Sequence, residues 1–163
     1  MENTESTEEV AANPDTLHDA ELQCMARIAE ALGLRVGVNA FIGLHPGMSD
    51  CVVWDIGFLY TGDQAAFPAN MYHWRGKLEL YSRTRQQIQR WITALLRSFP
   101  IAPAHGRAMM DVGEGPVRIL RIAPENGGVG EIATQTVKQH EKDPGRETFY
   151  CPASFDVVFT IKE

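Results

Sequence analysis

The residues that could support catalysis are spread along the 163-residue chain without a recognisable spacing. No HExxH motif or other metal-ligand spacing connects the five histidines. They are His18, His45, His73, His105 and His140. The three cysteines, Cys24, Cys51 and Cys151, form no CxxC pair and are odd in number. A disulfide framework or zinc site is therefore not expected, and we predict no metal and no cofactor.

Catalytic arrangements receive little support from the remaining polar residues. Cys51 opens a predicted strand and would need a histidine close in space to act as a nucleophile, so a small buried thiol is the favoured interpretation. His73 lies on the outer face of a predicted strand. The glycine-rich segment 126–130 (NGGVG) lacks the Lys-Ser/Thr of a phosphate-binding loop, and no long helix follows it. We predict a hairpin turn there, and no catalytic residues in the chain.

Three arginines form the most regular polar pattern. Arg83, Arg90 and Arg97 repeat every seven residues and would form one stripe along a helix. Such a stripe is either a solvated face or a subunit interface that meets acidic residues of a neighbouring copy. Nucleic-acid binding is less favoured, because the net charge is −6 and such proteins usually have a basic balance. A weaker alternative is that the stripe faces DNA that passes through a ring of subunits.

The charge and hydropathy of the sequence predict its domain organisation, its location and the kind of partner it binds. Residues 1–14 are acidic and poor in large apolar groups, which predicts a flexible arm, and residues 15–163 are expected to form a single domain. No run of about 18 apolar residues is present, so no membrane segment is predicted. The N-terminus lacks the pattern of a secretory signal, and we expect a cytoplasmic location. The uneven distribution of charge favours protein partners.

The segment 72–100 is the predicted centre of the fold. Its first half alternates with period two, which indicates a strand with one buried face. The buried face comprises Tyr72, Trp74, Leu78 and Leu80, and the outer face His73, Arg75, Lys77, Glu79 and Tyr81. Its second half has the period of an amphipathic helix, capped by Ser82 and ended before Pro100. The helix buries Ile88, Trp91, Ile92, Leu95, Leu96 and Phe99.

The other segments predict an α+β fold. An N-terminal helix buries Leu17, Met25, Ile28, Ala29 and Leu32 and ends at Gly33. Strands are expected at 36–42, 52–60, 117–122, 131–137 and 155–161, with 117–122 and 131–137 joined as a hairpin. Because strands are grouped apart from helices, the sheet should be mostly antiparallel, packed by the long amphipathic helix and the N-terminal helix.

Two long loops carry apolar residues that could contact partners. They occupy 61–70 and 101–116, and the candidate residues are Phe67, Met71, Met109 and Met110. Exposed apolar residues on long loops are candidates for interfaces. Folding of the loops back onto the domain is the alternative interpretation.

The order and spacing of four segments are similar to those of the tail terminator, or tail-completion, proteins of long-tailed bacteriophages. The segments are ELQCMARIAEALGL, CVVWDIGFLY, HWRGKLELYSRTRQQIQRWITALL and FDVVFTIKE. The resemblance covers most of the chain, from Thr16 to Lys162, and rests on these four segments. The acidic arm and the long segment 139–151 depart from the family plan.

This resemblance implies a virion structural protein without enzymatic activity. Family members form a ring, commonly of six subunits, on the end of the tail tube, where they stop polymerisation and join the tail to the head connector. Another neck or head–tail joining protein of similar fold is the first alternative. A small enzyme or ligand-binding domain is the second. It would need convergent polar groups in an apolar pocket, with pKa values shifted by their surroundings, and finding His73, Cys51 and a carboxylate within hydrogen-bond distance would favour it.

Overall fold

The computed structural model describes residues 16–60, 71–99, 117–138 and 140–161. Within these residues the chain forms two helices and six strands. In chain order the elements are α1 (Thr16–Leu32), β1 (Ala40–Ile42), β2 (Cys51–Tyr60), β3 (Met71–Ser82), α2 (Arg85–Ser98), β4 (Val117–Val129), β5 (Ala133–Val137) and β6 (Arg146–Ile161). The predicted arm, residues 1–14, lies outside the described residues.

The six strands form one mixed sheet. Its order is β1-β2-β3-β6-β4, and β5 also pairs with β6. β1 runs parallel to β2, whereas every other pair is antiparallel. The α+β class predicted from the sequence is therefore confirmed, and the largely antiparallel pairing is consistent with the predicted sheet.

Helix α1 ends as its sequence predicts. Gly33 has a φ of 70°, and the amide of Leu34 donates to the carbonyl of Ala29 at 2.8 Å, while that of Gly33 donates to the carbonyl of Glu30 at 3.2 Å. These two bonds satisfy carbonyls that the helix end would leave free, and glycine adopts the required positive φ without strain. Leu17 was expected in the buried stripe, but it is 43% exposed.

Helix α2 differs from its prediction at two positions. Thr84, not Ser82, is the N-cap, and its hydroxyl accepts a hydrogen bond from the amide of Gln87 at 3.3 Å. Ser82 instead ends β3 and is buried. The predicted apolar face is buried at Ile88, Trp91, Leu95 and Phe99. Leu96 is 41% exposed, because the buried stripe is narrower than the apolar pattern.

The main core lies between one face of the sheet and the two helices. Strand β3 contributes Trp74, Leu78 and Leu80, all at most 1% exposed. Trp54 of β2 crosses Gly76 so closely that a Cβ at Gly76 would lie 2.1 Å from a ring carbon of Trp54. The absence of a side chain at Gly76 therefore makes room for this tryptophan.

A second, smaller cluster covers part of the opposite sheet face. Cys51, Val53 and Tyr81 are buried there, with Phe41, Met48 and Tyr150 packed around them. The prediction that Tyr81 lies on an exposed face is wrong, because the segment between β1 and β2 folds over this end of the sheet.

Three strand predictions are also corrected. β1 spans only Ala40–Ile42, and Val36 and Val38 precede it as exposed residues. β4 continues through the predicted turn to Val129, with its pairing register shifted between Pro124 and Val129. β5 pairs with β6 instead of forming a hairpin with β4. β6 has 16 residues, and it pairs with both β4 and β5 along the edge opposite β3.

Candidate functional site

The outward face of α2 is the strongest candidate interface. Arg90 and Arg97 lie on this face with Gln86, Gln89, Thr93 and Ala94, and together they line a shallow depression. The helix contains no acidic residue, and the sequence has none between Glu79 and Asp111. Within the part of the chain that the structure describes, neither arginine has a carboxylate within 4.0 Å. We call this surface the basic face of α2.

Arg83 does not belong to the basic face. It precedes the helix, and its Nε lies 4.0 Å from Oδ2 of Asp50 within the same subunit. The backbone amide of Arg83 also donates to Oδ1 of Asp50 at 3.0 Å. The predicted stripe of three arginines is therefore reduced to Arg90 and Arg97, because the helix begins after Arg83.

The predicted partner-contact loops lie outside the described residues. These loops contain Phe67, Met109 and Met110. Met71, the fourth candidate, is the first residue of β3. The prediction that these residues contact partners therefore remains a prediction.

Cys51 has a histidine neighbour, which is His45 and not His73. The Sγ of Cys51 lies 3.5 Å from Nε2 of His45. His73 pairs with Tyr60, at the other end of β2 from Cys51. His73 and Cys51 are therefore not brought together, and the predicted set of these two residues with a carboxylate does not form. Sequence inspection missed His45 because its position depends on the turn that brings it back over β2.

Hydrogen bonding opposes activation of this thiol by His45. The backbone amide of Gly47 donates to Nδ1 of His45 at 2.8 Å. Nδ1 must therefore be unprotonated, so the neutral ring carries its proton on Nε2, facing the sulfur. Burial, with smaller effects from Asp50 and Glu79, raises the pKa of Cys51 to about 12. Burial also lowers the pKa of His45. A neutral thiol beside a neutral imidazole is the expected state.

A carboxylate network lies next to this pair on the outer face of the sheet. Glu79 accepts hydrogen bonds from the hydroxyl of Tyr81 at 2.9 Å and from that of Tyr150 at 3.4 Å. The Nζ of Lys77 lies 2.9 Å from the same carboxylate. Burial alone would raise the pKa of Glu79, but the hydrogen bonds from Lys77 and Tyr81 outweigh it and lower the pKa. Glu79 is therefore a stabilised anion.

The same outer face carries a second pair, between His73 and Asp156. Nε2 of His73 contacts Oδ1 of Asp156, and Arg75 is the cross-strand neighbour of Asp156. Each of these side chains has an interaction within the chain, as expected for a polar row on a sheet. The arrangement orders the sheet surface and presents both signs of charge.

A polar cleft opens where α2 begins. It is lined by Gly47, Met48, Ser49, Asp50, Arg83, His140, Asp143 and Arg146. Asp50 also contacts the end of β3, because its Oδ1 accepts a hydrogen bond from Ser82 Oγ at 2.7 Å. The charged side chains lining the cleft are of mixed sign, so the cleft has no strong preference for an anion or a cation.

Over residues 16–60, 71–99, 117–138 and 140–161, no three His, Cys, Asp or Glu side chains are grouped to hold a metal ion. Neither helix of that part is long and apolar enough to cross a membrane. No known protein-family model and no curated protein matches the chain.

Proposed function

We propose that the chain is a structural protein whose copies close into a ring at the head-proximal end of a phage tail tube. In this proposal the ring ends tube polymerisation and joins the tail to the head connector. Its place is the virion neck, and DNA meets it only in the lumen. The phage setting rests on the resemblance of four sequence segments to tail terminators.

The basic face of α2 is the observation that carries the proposal. Two other arginines lie near carboxylates, Arg27 at 3.7 Å from Glu30 and Arg83 at 4.0 Å from Asp50, whereas Arg90 and Arg97 have none within 4.0 Å among the described residues. In this proposal Arg90 and Arg97 bind acidic residues of another molecule. A ring needs such asymmetry, since each contact joins two different surfaces of successive subunits. Opposite charges favour this contact and disfavour pairing of like surfaces.

The geometry around Cys51 favours a structural role over an enzymatic one. His45 directs a proton toward the sulfur and accepts a backbone amide on its other nitrogen. A catalytic histidine would accept the proton of the thiol and hold its own second proton against an acceptor. The observed bonds are the reverse of that arrangement.

The test measures assembly of the purified protein. Sedimentation velocity over a wide concentration range and negative-stain images should reveal rings. Arg90→Glu/Arg97→Glu should weaken association by about tenfold or more while circular dichroism stays unchanged. Lys138→Glu/Lys142→Glu alters the net charge equally at two exposed positions outside α2 and should assemble as the native chain does.

The terminator role is tested by adding the protein to polymerising tail-tube protein. Rings that cap tube ends should shorten the tubes, and the double arginine variant should shorten them less. A strict monomer at every concentration, with and without tube protein, would overturn the proposal. Binding to the connector alone would identify the neighbouring neck role instead.

A further inference from the structure

The basic face of α2 has one chemically matched segment in the sequence. We propose that this face binds the acidic arm, residues 1–14, of a neighbouring copy. The inference rests on the ring proposed above and names the segment that forms the contact between successive subunits.

The arm offers almost only negative charge for recognition. It contains Glu2, Glu5, Glu8 and Glu9 and no lysine or arginine, and the first basic residue of the chain is Arg27. Large apolar side chains are nearly absent from it. A segment of this composition is recognised through carboxylates, and its best partner is a surface of exposed arginines and amides.

The basic face of α2 has the required groups. Arg90 and Arg97 are both exposed, and Gln86 and Gln89 lie beside them. Arg85 adds a third exposed arginine in the first turn, where the helix has no acidic residue. The positive end of the helix dipole lies at this turn, so an approaching carboxylate would be favoured there as well.

The spacing of the charges matches on the two sides. Arg90 and Arg97 are seven residues apart, which places them on the same side of α2 about 10.5 Å from one another. The arm repeats glutamate every three residues at Glu2, Glu5 and Glu8. In a polyproline II conformation residues three apart share one side at about 9.3 Å. Successive glutamates can therefore meet successive arginines.

Ring closure requires that the arm bound to each helix come from a neighbouring copy. The arm joins the body at Thr16, the first residue of α1, and 14 extended residues reach at most about 50 Å. This length is sufficient to cross to an adjacent subunit. If each arm bound its own α2, the most complementary surfaces would be satisfied without any assembly.

The experiment uses two full-length variants with opposite charge reversals. The helix variant is Arg90→Glu/Arg97→Glu, and the arm variant is Glu5→Arg/Glu8→Arg. Each should associate about tenfold or more weakly than the native chain. An equimolar mixture should assemble again, because each reversed arm meets a reversed helix and each native arm meets a native helix. Sedimentation velocity at low salt, where surface charges are least screened, provides the readout.

A matched control tests whether non-specific attraction between oppositely charged variants explains the assembly of the mixture. Glu131→Arg/Glu141→Arg has the same change of charge as the arm variant, at two exposed residues outside the arm. Alone it should assemble as the native chain does. Mixed with the helix variant it should not restore alternating assembly, because its arm is still acidic.

The remaining outcomes separate this inference from the ring itself. If the arm variant assembles normally while the helix variant does not, the arm is not the partner and the ring proposal stands. Tighter association of the arm variant would mean that each arm covers its own helix, which also overturns the inference. A native chain that stays monomeric overturns both the arm contact and the ring.

Discussion

Strand β3 separates two surfaces that are stabilised in different ways. Its inner face places Trp74, Leu78 and Leu80 in a dry core at most 1% exposed. Its outer face holds Lys77 and Glu79, whose side chains bind each other and remain partly exposed to water. Packing defects in the core cost several kcal/mol, whereas exposed charge pairs contribute about 1 kcal/mol or less. Partner contacts can therefore be altered on the outer surfaces without unfolding the domain.

The largest expected effect lies on the inner side, at Trp91. Its side chain is 6% exposed in the core, so Trp91→Ala should lower the free energy of unfolding by about 3–5 kcal/mol. Leu96→Ala on the same helix changes a residue that is 41% exposed and should cost about 0.5 kcal/mol or less. Urea denaturation measures both. Similar losses for the two variants would mean that α2 does not bury the face assigned to it.

A second test concerns the space above Gly76. Its added methyl group would lie 2.1 Å from one Trp54 ring carbon and 2.4 Å from another. Gly76→Ala should therefore cost about 1–3 kcal/mol through overpacking. Trp54→Leu should be destabilising alone, yet the double variant should be more stable than the sum of the two losses predicts. Simple additivity in urea denaturation would show that the contact carries no strain.

Elements whose packing follows a local period were predictable from the sequence. The alternation of β3 and the stripe of α2 are visible because each repeats over three or more turns or pleats. The pairing of β5 with β6 was missed although β5 ends at Val137 and β6 begins at Arg146. The turn signal of segment 126–130 favoured a hairpin with β4, and apolar alternation marked only the C-terminal part of β6. Tyr81 was misplaced because the segment that covers it belongs to another part of the chain. The exposure of Leu96 depends on the width of a contact, which periodicity does not measure.

That the basic face of α2 is an interface stays a prediction, but part of its composition followed from the sequence. Arg90 and Arg97 were found because a helix and a seven-residue repeat place them together. Arg83 does not belong to the helical stripe, since the N-cap at Thr84 excludes it from the helix, and its role at an interface stays a prediction. The His45–Cys51 pair was missed because the conformation of the five intervening residues, 46–50, brings the side chains together. The expected contact loops lie outside the described residues, so Phe67, Met109 and Met110 remain predictions.

An intermediate effect is expected at Asp50, which joins the outer surface to the start of α2. Its Oδ1 accepts hydrogen bonds from the buried Ser82 hydroxyl at 2.7 Å and the Arg83 amide at 3.0 Å. Asp50→Ala removes this acceptor and both hydrogen bonds and should cost about 1–2 kcal/mol. Asp50→Asn keeps an acceptor oxygen and should cost less than half as much. Equal losses in urea denaturation would show that these bonds do not account for the effect.

The smallest effect is expected at Glu79 and depends on pH. Hydrogen bonds from Lys77 and Tyr81 outweigh burial and hold its folded-state pKa below the unfolded value of about 4.3. The ionised carboxylate therefore stabilises the fold above about pH 4.3, and this contribution is lost as pH falls through the lower folded-state pKa. Glu79→Gln should lower the free energy of unfolding by about 1 kcal/mol or less at neutral pH, where the ionised carboxylate makes its full contribution.

Urea denaturation of the Glu79→Gln variant and the native chain from neutral pH to about pH 3 should show their stabilities converging on the acid side. Glu131→Gln provides the control, because Glu131 is exposed between β4 and β5. Its difference from the native chain should stay small throughout. A Glu79→Gln difference that is constant with pH would mean that the network acts through shape and not charge. The outer face would then resemble the inner one, and the contrast between the two surfaces of β3 would fail.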